Sequence, residues 1–542
     1  MGQQDLDTLI SPFGWRTAQD CSFGPRMPKD AVTPEQEVHL IHAVAAPRAA
    51  VAVRAALGAV LAAGVLGAVP TGGGTVLQAV VSYNGQLSSV PGISVVTSFD
   101  RLRMSVVRGD ARAMSRLVRA PGVRGLAPDD AVQLNGKDDK AAGSAVLASD
   151  GLSGRAGKAG AGAGVRVAVI DTGVSDTAAL NRASGRLVDG ADASQIADGQ
   201  YGQAVEGGTY TDGFGHGTFL ANIIAGGPVA GVENGKKAIG IAPAATVVVV
   251  RVARPDGTSS LSKVLGAMDW VIGHHSSIDV ANLSLSHQRP NDAYGADPLT
   301  DAVEQVRASG ISIVVSAGNE AGSVGDPGFD PRALTVGAAD LATGKVADFS
   351  GSDTVKGVLK PDVVANGVHV MGILPPGSVL ATSPGTTHLD NGLYRGSGTS
   401  QAAAVTSGVV ALFLAAHPGA SPAQVKGSIR CAADNVKGTS RDGAGLLAAT
   451  TKVCADDNGQ ALDGSGDATG EAGFDASSWG ASSWGASSWG ASSWGASSWG
   501  ASSWGASSWG ASSWGASSWG ASSWGASSWG ASSWAADDWG DS

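Results

Sequence analysis

The chain has 542 residues and a formal net charge of −11, too long for one compact domain of about 100–200 residues and too acidic, without any basic stripe, for a nucleic-acid partner. Hydrophobic residues make up 43%, enough for a large core, and many of the 80 glycines sit in one C-terminal repeat.

In chain order, the first feature is a polar lead from Met1 to about Pro47. An uncharged run, AALGAVLAAGVLGAV at 55–69, follows Arg48 and Arg54 and gives way to small residues. A basic flank, a short apolar run and a small-residue exit describe a secretory signal peptide; a short membrane anchor is the alternative, although the run falls short of the about 20 residues a span needs. The lead fits neither reading, and either a downstream translation start or a cytoplasmic extension accounts for it.

Strands are expected at 76–81, 93–97 and 102–107, and Asp110 is placed to cap a helix starting near Ala111. Together they suggest a small α+β unit over 75–133. The glycine- and alanine-rich stretch at 136–164 is expected to be a flexible, protease-sensitive linker, and no unique processing site is legible in it. Apolar runs at 165–170, 246–252, 278–285, 311–316 and 333–338 then alternate with helix-like stretches. Such strands indicate an α/β fold with a parallel sheet buried on both faces. Ser421-Pro422 opens a late helix.

There are three cysteines, Cys21, Cys431 and Cys454. If a segment containing Cys21 is removed, the other two remain as a pair and are expected to form a disulfide; two buried thiols are the alternative.

Four segments carry chemistry. The strand VRVAVI ends in Asp171-Thr172-Gly173, and functional groups gather at the carboxyl ends of strands in open α/β sheets; an Asx turn is the bland alternative. GHGTFLANIIAG at 215–226 sets His216 between two glycines that let other groups approach closely. GSGTSQAAAVTSG places Ser400 at the start of a long apolar helix, where free backbone N–H groups can hold an oxyanion; a plain serine N-cap is the alternative. In VVSAGNE at 314–320 a strand runs into Ala317, Gly318 and Asn319, whose amide can donate to an oxyanion.

None of the four decides alone. D-T-G, H-G-T, A-G-N and G-T-S-x-A in this order resemble the subtilisin-like serine proteases, with chain order Asp, His, Ser. GIAP at 240–243, NLSLS at 282–286, ADFS at 347–350 and KPDVVANG at 360–367 add weaker matches. The resemblance implies a doubly wound, mostly parallel subtilisin-like sheet. It gives Ser400 as nucleophile, His216 as general base and acid, Asp171 as its orienting partner and Asn319 with the Ser400 N–H as oxyanion donors. It also lays substrate along Ser284, Leu285 and Ser286. The family usually has Gly at the position of Ser286, so a narrowed first specificity pocket is expected. Gln401, Ala404 and Phe219 also depart from the family pattern, without removing a catalytic group.

The implied organisation is a lead and signal peptide at 1–70, an inhibitor-like prodomain at 71–135, a linker at 136–160, a peptidase domain at 161–455 and a low-complexity tail at 456–542. A permanent accessory domain is the alternative for 71–135. Polypeptides are the expected substrates. No metal ligand is legible, and calcium enters by the resemblance alone. From Ala476 the chain repeats ASSWG, with Trp every five residues from Trp479 to Trp539. Five residues match neither a helix face nor a strand face, so a disordered tail is expected: a spacer, a multivalent binder of cell-wall glycan or surface protein, or a self-associating segment. The leading function is a secreted serine endopeptidase. Its rivals are a non-catalytic surface or adhesion protein on a degenerate protease fold and an esterase, for which G-x-S-x-G would be usual at the nucleophile.

Overall fold

The computed structural model describes residues 68–71, 74–136, 139, 143–198, 202–230, 232–287, 297–355, 358–389, 392–434 and 441–454. The polar lead, Cys21, all but the last two residues of the apolar run at 55–69 and the tryptophan repeats lie outside these residues. The chain divides into Met1–Arg54, also outside them, and Ala55–Ser542, to which everything below belongs.

The N-terminal part is a five-stranded antiparallel sheet with one helix. Its strands are β1 (Ala68–Thr71), β2 (Gly74–Tyr83), β3 (Ile93–Phe99), β4 (Met104–Gly109) and β5 (Val123–Pro128). Helix α1 (Ala111–Leu117) is capped by Asp110, which accepts from the Ala113 N–H at 2.7 Å. Its Ala113, Met114 and Leu117 are buried, the last two against Leu77, Val81 and Val107 of the sheet. A further strand, β6 (Ala131–Leu134), leaves this sheet altogether and pairs with the short strand β10 (Ser259–Ser260).

The larger part is built on a sheet of seven parallel strands and one antiparallel edge. In space the order is β8 (Leu187–Asp192), β9 (Thr246–Arg251), β7 (Arg166–Asp171), β11 (Val280–Leu283), β13 (Ser312–Ser316) and β14 (Leu334–Asp340). Strand β14 also pairs with parallel β16 (Val363–Asn366) and antiparallel β15 (Lys345–Val346). Side chains alternate between two cores. Val167, Val169, Val247 and Val249 face α2 (His216–Ala225), α5 (Thr399–Ala416) and α6 (Pro422–Cys431). Ala168, Ile170, Val248 and Val250 face α3 (Leu261–Gly273) and α4 (Pro298–Ala308). Helices on both faces explain why these strands read as unbroken apolar runs. Helix α5 is apolar and long enough to cross a bilayer, but it is buried in the first core.

Phe99, Leu102 and Met104 of the N-terminal part join the second core beside Val264, Met268 and Leu299. Polar contacts lock the same face. Asp129 accepts from the Ser262 N–H and hydroxyl, each at 2.8 Å, at the start of α3. Asp269 accepts from the Arg101 and Leu102 N–H groups, and Arg124 pairs with Asp301 at 3.0 Å.

Two expectations change. The stretch 136–164 is not a free linker where it is described. Val146 bonds on both sides to the 369–371 backbone, the Gly157 N–H donates to Ile241, and Ala148 and Ala161 enter the first core. Small side chains let this segment lie flat on the core instead of swinging clear of it. The run 278–285 is also two strands. It breaks at Ser284, after which β12 (Leu285–His287) turns away to pair with β6. Cys431 and Cys454 form a disulfide.

Candidate active site

Asp171 ends β7 at the carboxyl edge of the sheet. Both carboxylate oxygens bond to Nδ1 of His216, at 2.8 and 3.0 Å, and the first also accepts the Thr172 N–H. His216 opens α2. A Cβ added at Gly217 would stand 2.2 Å from the Gly173 carbonyl oxygen, so only glycine lets the helix come this close to β7.

Asp212 fixes the same helix end. One oxygen accepts from the Phe214 and Gly215 N–H groups and the Thr172 hydroxyl, the other from the Thr218 N–H and hydroxyl. The Gly217 N–H donates to the Thr172 hydroxyl. Asp212 and Thr172 therefore hold the histidine against Asp171. Sequence reasoning passed over both, although an acidic residue four positions ahead of His216 is the kind of group a helix N-terminus attracts.

Burial alone would pull the His216 pKa down. The Asp171 charge and hydrogen bond, with Asp212 beyond, outweigh it and hold the imidazole above its ordinary value. Its Nε2 is buried and makes no hydrogen bond among the described residues.

Ser400 is the second residue of α5. Its hydroxyl donates to the Ser284 carbonyl at 3.3 Å. Asn319 lies just beyond β13. Its Oδ1 accepts from both the N–H and the hydroxyl of Thr399, each at 3.0 Å, which fixes the opposite face of the amide as the donor. That Nδ2 donates to the Asn135 carbonyl at 2.6 Å, and the Ser400 N–H donates to the same oxygen at 3.3 Å. A Cβ at Gly398 would lie 2.6 Å from this oxygen, so glycine leaves room for it.

The chain's own segment fills the site. Strand β6 pairs antiparallel with β12, with Leu134 opposite Leu285, Gln133 opposite Ser286 and Val132 opposite His287. The Asn135 N–H extends the pairing to the Ser284 carbonyl at 3.2 Å. The Asn135 side chain lies between Ser286 and Ser316, bonded to each. Ala317 and Gly318 follow Ser316, and their carbonyls accept from Gly325 and Gly351. Beside the histidine a cavity of about 160 Å³ is walled by Phe214, Phe219, Leu374 and Leu380.

Among the described residues the one ligand-like group is His287, Asp297 and Asp326. Its nitrogen donor suits calcium poorly, Asp297 caps α4, and Asp326 accepts from the Thr300 hydroxyl.

A carboxylate-oriented histidine, a serine at a helix start and two donors converging on one carbonyl oxygen are the parts of a serine protease site, with Ser400 bonded to Ser284 and not to His216 in this state. Residues 162–459 match the model of the subtilase family of peptidases. The serine protease AprX of Bacillus subtilis is 30% identical over 317 residues, 55% of this chain and 68% of that protein. Subtilisin Savinase of Lederbergia lenta is 31% identical over 288 residues, 53% of this chain and 89% of the relative. Fervidolysin from Fervidobacterium pennivorans, a keratinolytic enzyme related to subtilisin, shares the fold with a TM-score of 0.54 and 22% identity, over 70% of this chain and 61% of that one. The chain belongs to the subtilase family.

Proposed function

We propose that this serine protease is a secreted endopeptidase that starts as a self-inhibited precursor. Ser400 is the nucleophile. His216 takes its proton and returns it to the leaving amine, while Asp171 fixes the tautomer and stabilises the imidazolium. Asn319 Nδ2 and the Ser400 N–H hold the oxyanion. Ser284, Leu285 and Ser286 line up the substrate backbone as an added strand, with Ala317 and Gly318 on the facing wall.

The observation that carries this reading is the Asn135 carbonyl oxygen, met by both Asn319 Nδ2 and the Ser400 N–H. An acyl group about to be attacked needs its oxygen there. The β6–β12 pairing blocks the same groove, which supports the N-terminal part as an intramolecular inhibitor. The mechanism requires the Ser400 hydroxyl, which donates to Ser284 in this state, to turn toward Nε2 of His216. Export is supported by the apolar run at 55–69 and by the Cys431–Cys454 disulfide, which suits an oxidising compartment. The ASSWG tail reads best as a spacer, on its composition of Gly, Ala and Ser between the tryptophans.

Ser400→Ala tests the core of the reading. The variant is expected to accumulate as full-length precursor and to lose labelling by a fluorophosphonate probe, whereas wild type is processed and labelled. Normal processing of the variant, or an unlabelled mature wild type, would defeat it.

A further inference from the structure

We infer that the first specificity pocket reads a side-chain carboxamide, so that the chain cuts after asparagine, and that its own first cut falls between Asn135 and Gly136. This rests on Ser400 being the nucleophile and deepens that reading.

The backbone places the bond. Pairing of β6 with β12 and the Asn135 N–H on Ser284 hold the residues before the cut, and the Asn135 carbonyl sits between its two donors. On the other side, a Cβ built on Gly136 would lie 3.2 Å from Cδ2 and 3.4 Å from Nε2 of His216. The residue after the cut therefore lies on the imidazole, beside the nitrogen that protonates the leaving amine, and a small residue fits best. Further along, Asp139 is buried and paired with Arg395 at 2.9 Å and His369 at 2.7 Å, which anchors the chain on the leaving-amine side of the cut.

The side chain supplies the selectivity. The Ser286 hydroxyl donates to Oδ1 of Asn135 at 2.9 Å, and Nδ2 of Asn135 donates to the Ser316 hydroxyl at 2.7 Å. All three residues are buried. Both ends of the amide are thus matched by partners of the right sense at the end of a short pocket. Ser286 also limits its depth, since its Cβ packs so close to Gly325 that a Cβ there would be 2.6 Å away. Leucine, of similar size, would leave two buried hydroxyls unpaired. Glutamine is one methylene too long, and aspartate would bury a charge against neutral hydroxyls.

The chemistry balances within the chain. As Ser400 Oγ bonds to the Asn135 carbonyl carbon, its proton passes to His216 Nε2. The bond to the Gly136 nitrogen then breaks, and that nitrogen takes the proton. Water hydrolyses the ester, leaving a carboxylate on Asn135 and restoring Ser400.

The test uses the full-length precursor and its processed product. N-terminal sequencing of the first product is expected to start at Gly136. With peptides Ala-Val-Gln-Leu-Xaa-Gly, kcat/KM for Asn is expected to exceed that for Leu, Gln and Asp by roughly 100-fold, the loss expected when the buried hydroxyls are left without their partners or face a buried charge. Ser286→Gly is expected to shift the Asn-to-Leu ratio at least about tenfold toward Leu. A mature enzyme that labels with fluorophosphonate but starts elsewhere, or shows no asparagine preference, overturns this inference alone. Failure of wild type to label overturns the nucleophile on which it rests.

Discussion

His216 carries two opposite pH dependences through one proton. Its folded pKa is raised above the ordinary value of about 6.5. As the base of the proposed mechanism it must be neutral, so kcat/KM is expected to rise with pH through a midpoint above about 6.5. As part of the fold its contribution runs the other way: it is complete below about 6.5 and is lost as pH climbs through the raised value. Rate profiles of wild type and melting curves of Ser400→Ala across pH 6–9 check both signs, and Asp171→Asn should remove most of the melting trend. The residues of this site differ in how far the chain order exposes them. Asp171, His216, Asn319 and Ser400 each lie in a short recognisable string. Asn135 and Ser316 do not, because they meet across 181 positions and become partners only after β6 lies down beside β12.

At the scale of elements, the valine-rich strands were readable because burial on both faces leaves no alternation to confuse them. Strand β8, LVDGAD, was not, since Asp189 and Asp192 interrupt the apolar run; each is paired with an arginine, Arg182 and Arg251. The split at Ser284 was equally hidden, because one apolar run serves two sheets. The inhibitor-like reading of 71–135 implied that the N-terminal part docks but not through which contacts, since Asp129 and Arg124 meet the first turns of α3 and α4, far along the chain. Asp129 completes the start of α3 through Ser262. Asp129→Ala removes a cap of about 1 kcal/mol, so the cut N-terminal segment should leave the enzyme about fivefold faster. The delay between first cleavage and the appearance of peptidase activity measures this, and an unchanged delay would show that Asp129 does not hold the segment.

Across the whole molecule, one buried charge cluster ties the late elements together. Asp362 meets Lys360 at 2.8 Å, Lys426 at 3.1 Å and the Thr335 N–H at 2.8 Å. Burial pushes its pKa up, but Lys360, Lys426 and Arg430 outweigh it and hold the group at about 2. Its contribution to stability is therefore present above about 3.9 and disappears as pH falls toward 2. Asp362→Asn leaves two lysines buried without their counter-charge and should cost about 3–5 kcal/mol, read as a large drop in melting temperature at neutral pH; a drop of only a degree or two would show that the cluster is dispensable.

The pairing of β6 with β12 has a kinetic meaning as well. If the chain makes its first cut itself, as proposed, substrate and catalyst are one covalent chain, and that cut is a first-order event whose half-time is the same at any dilution. On that reading, folding itself starts the clock. Each molecule would thus carry its own delay between folding and becoming able to attack another protein.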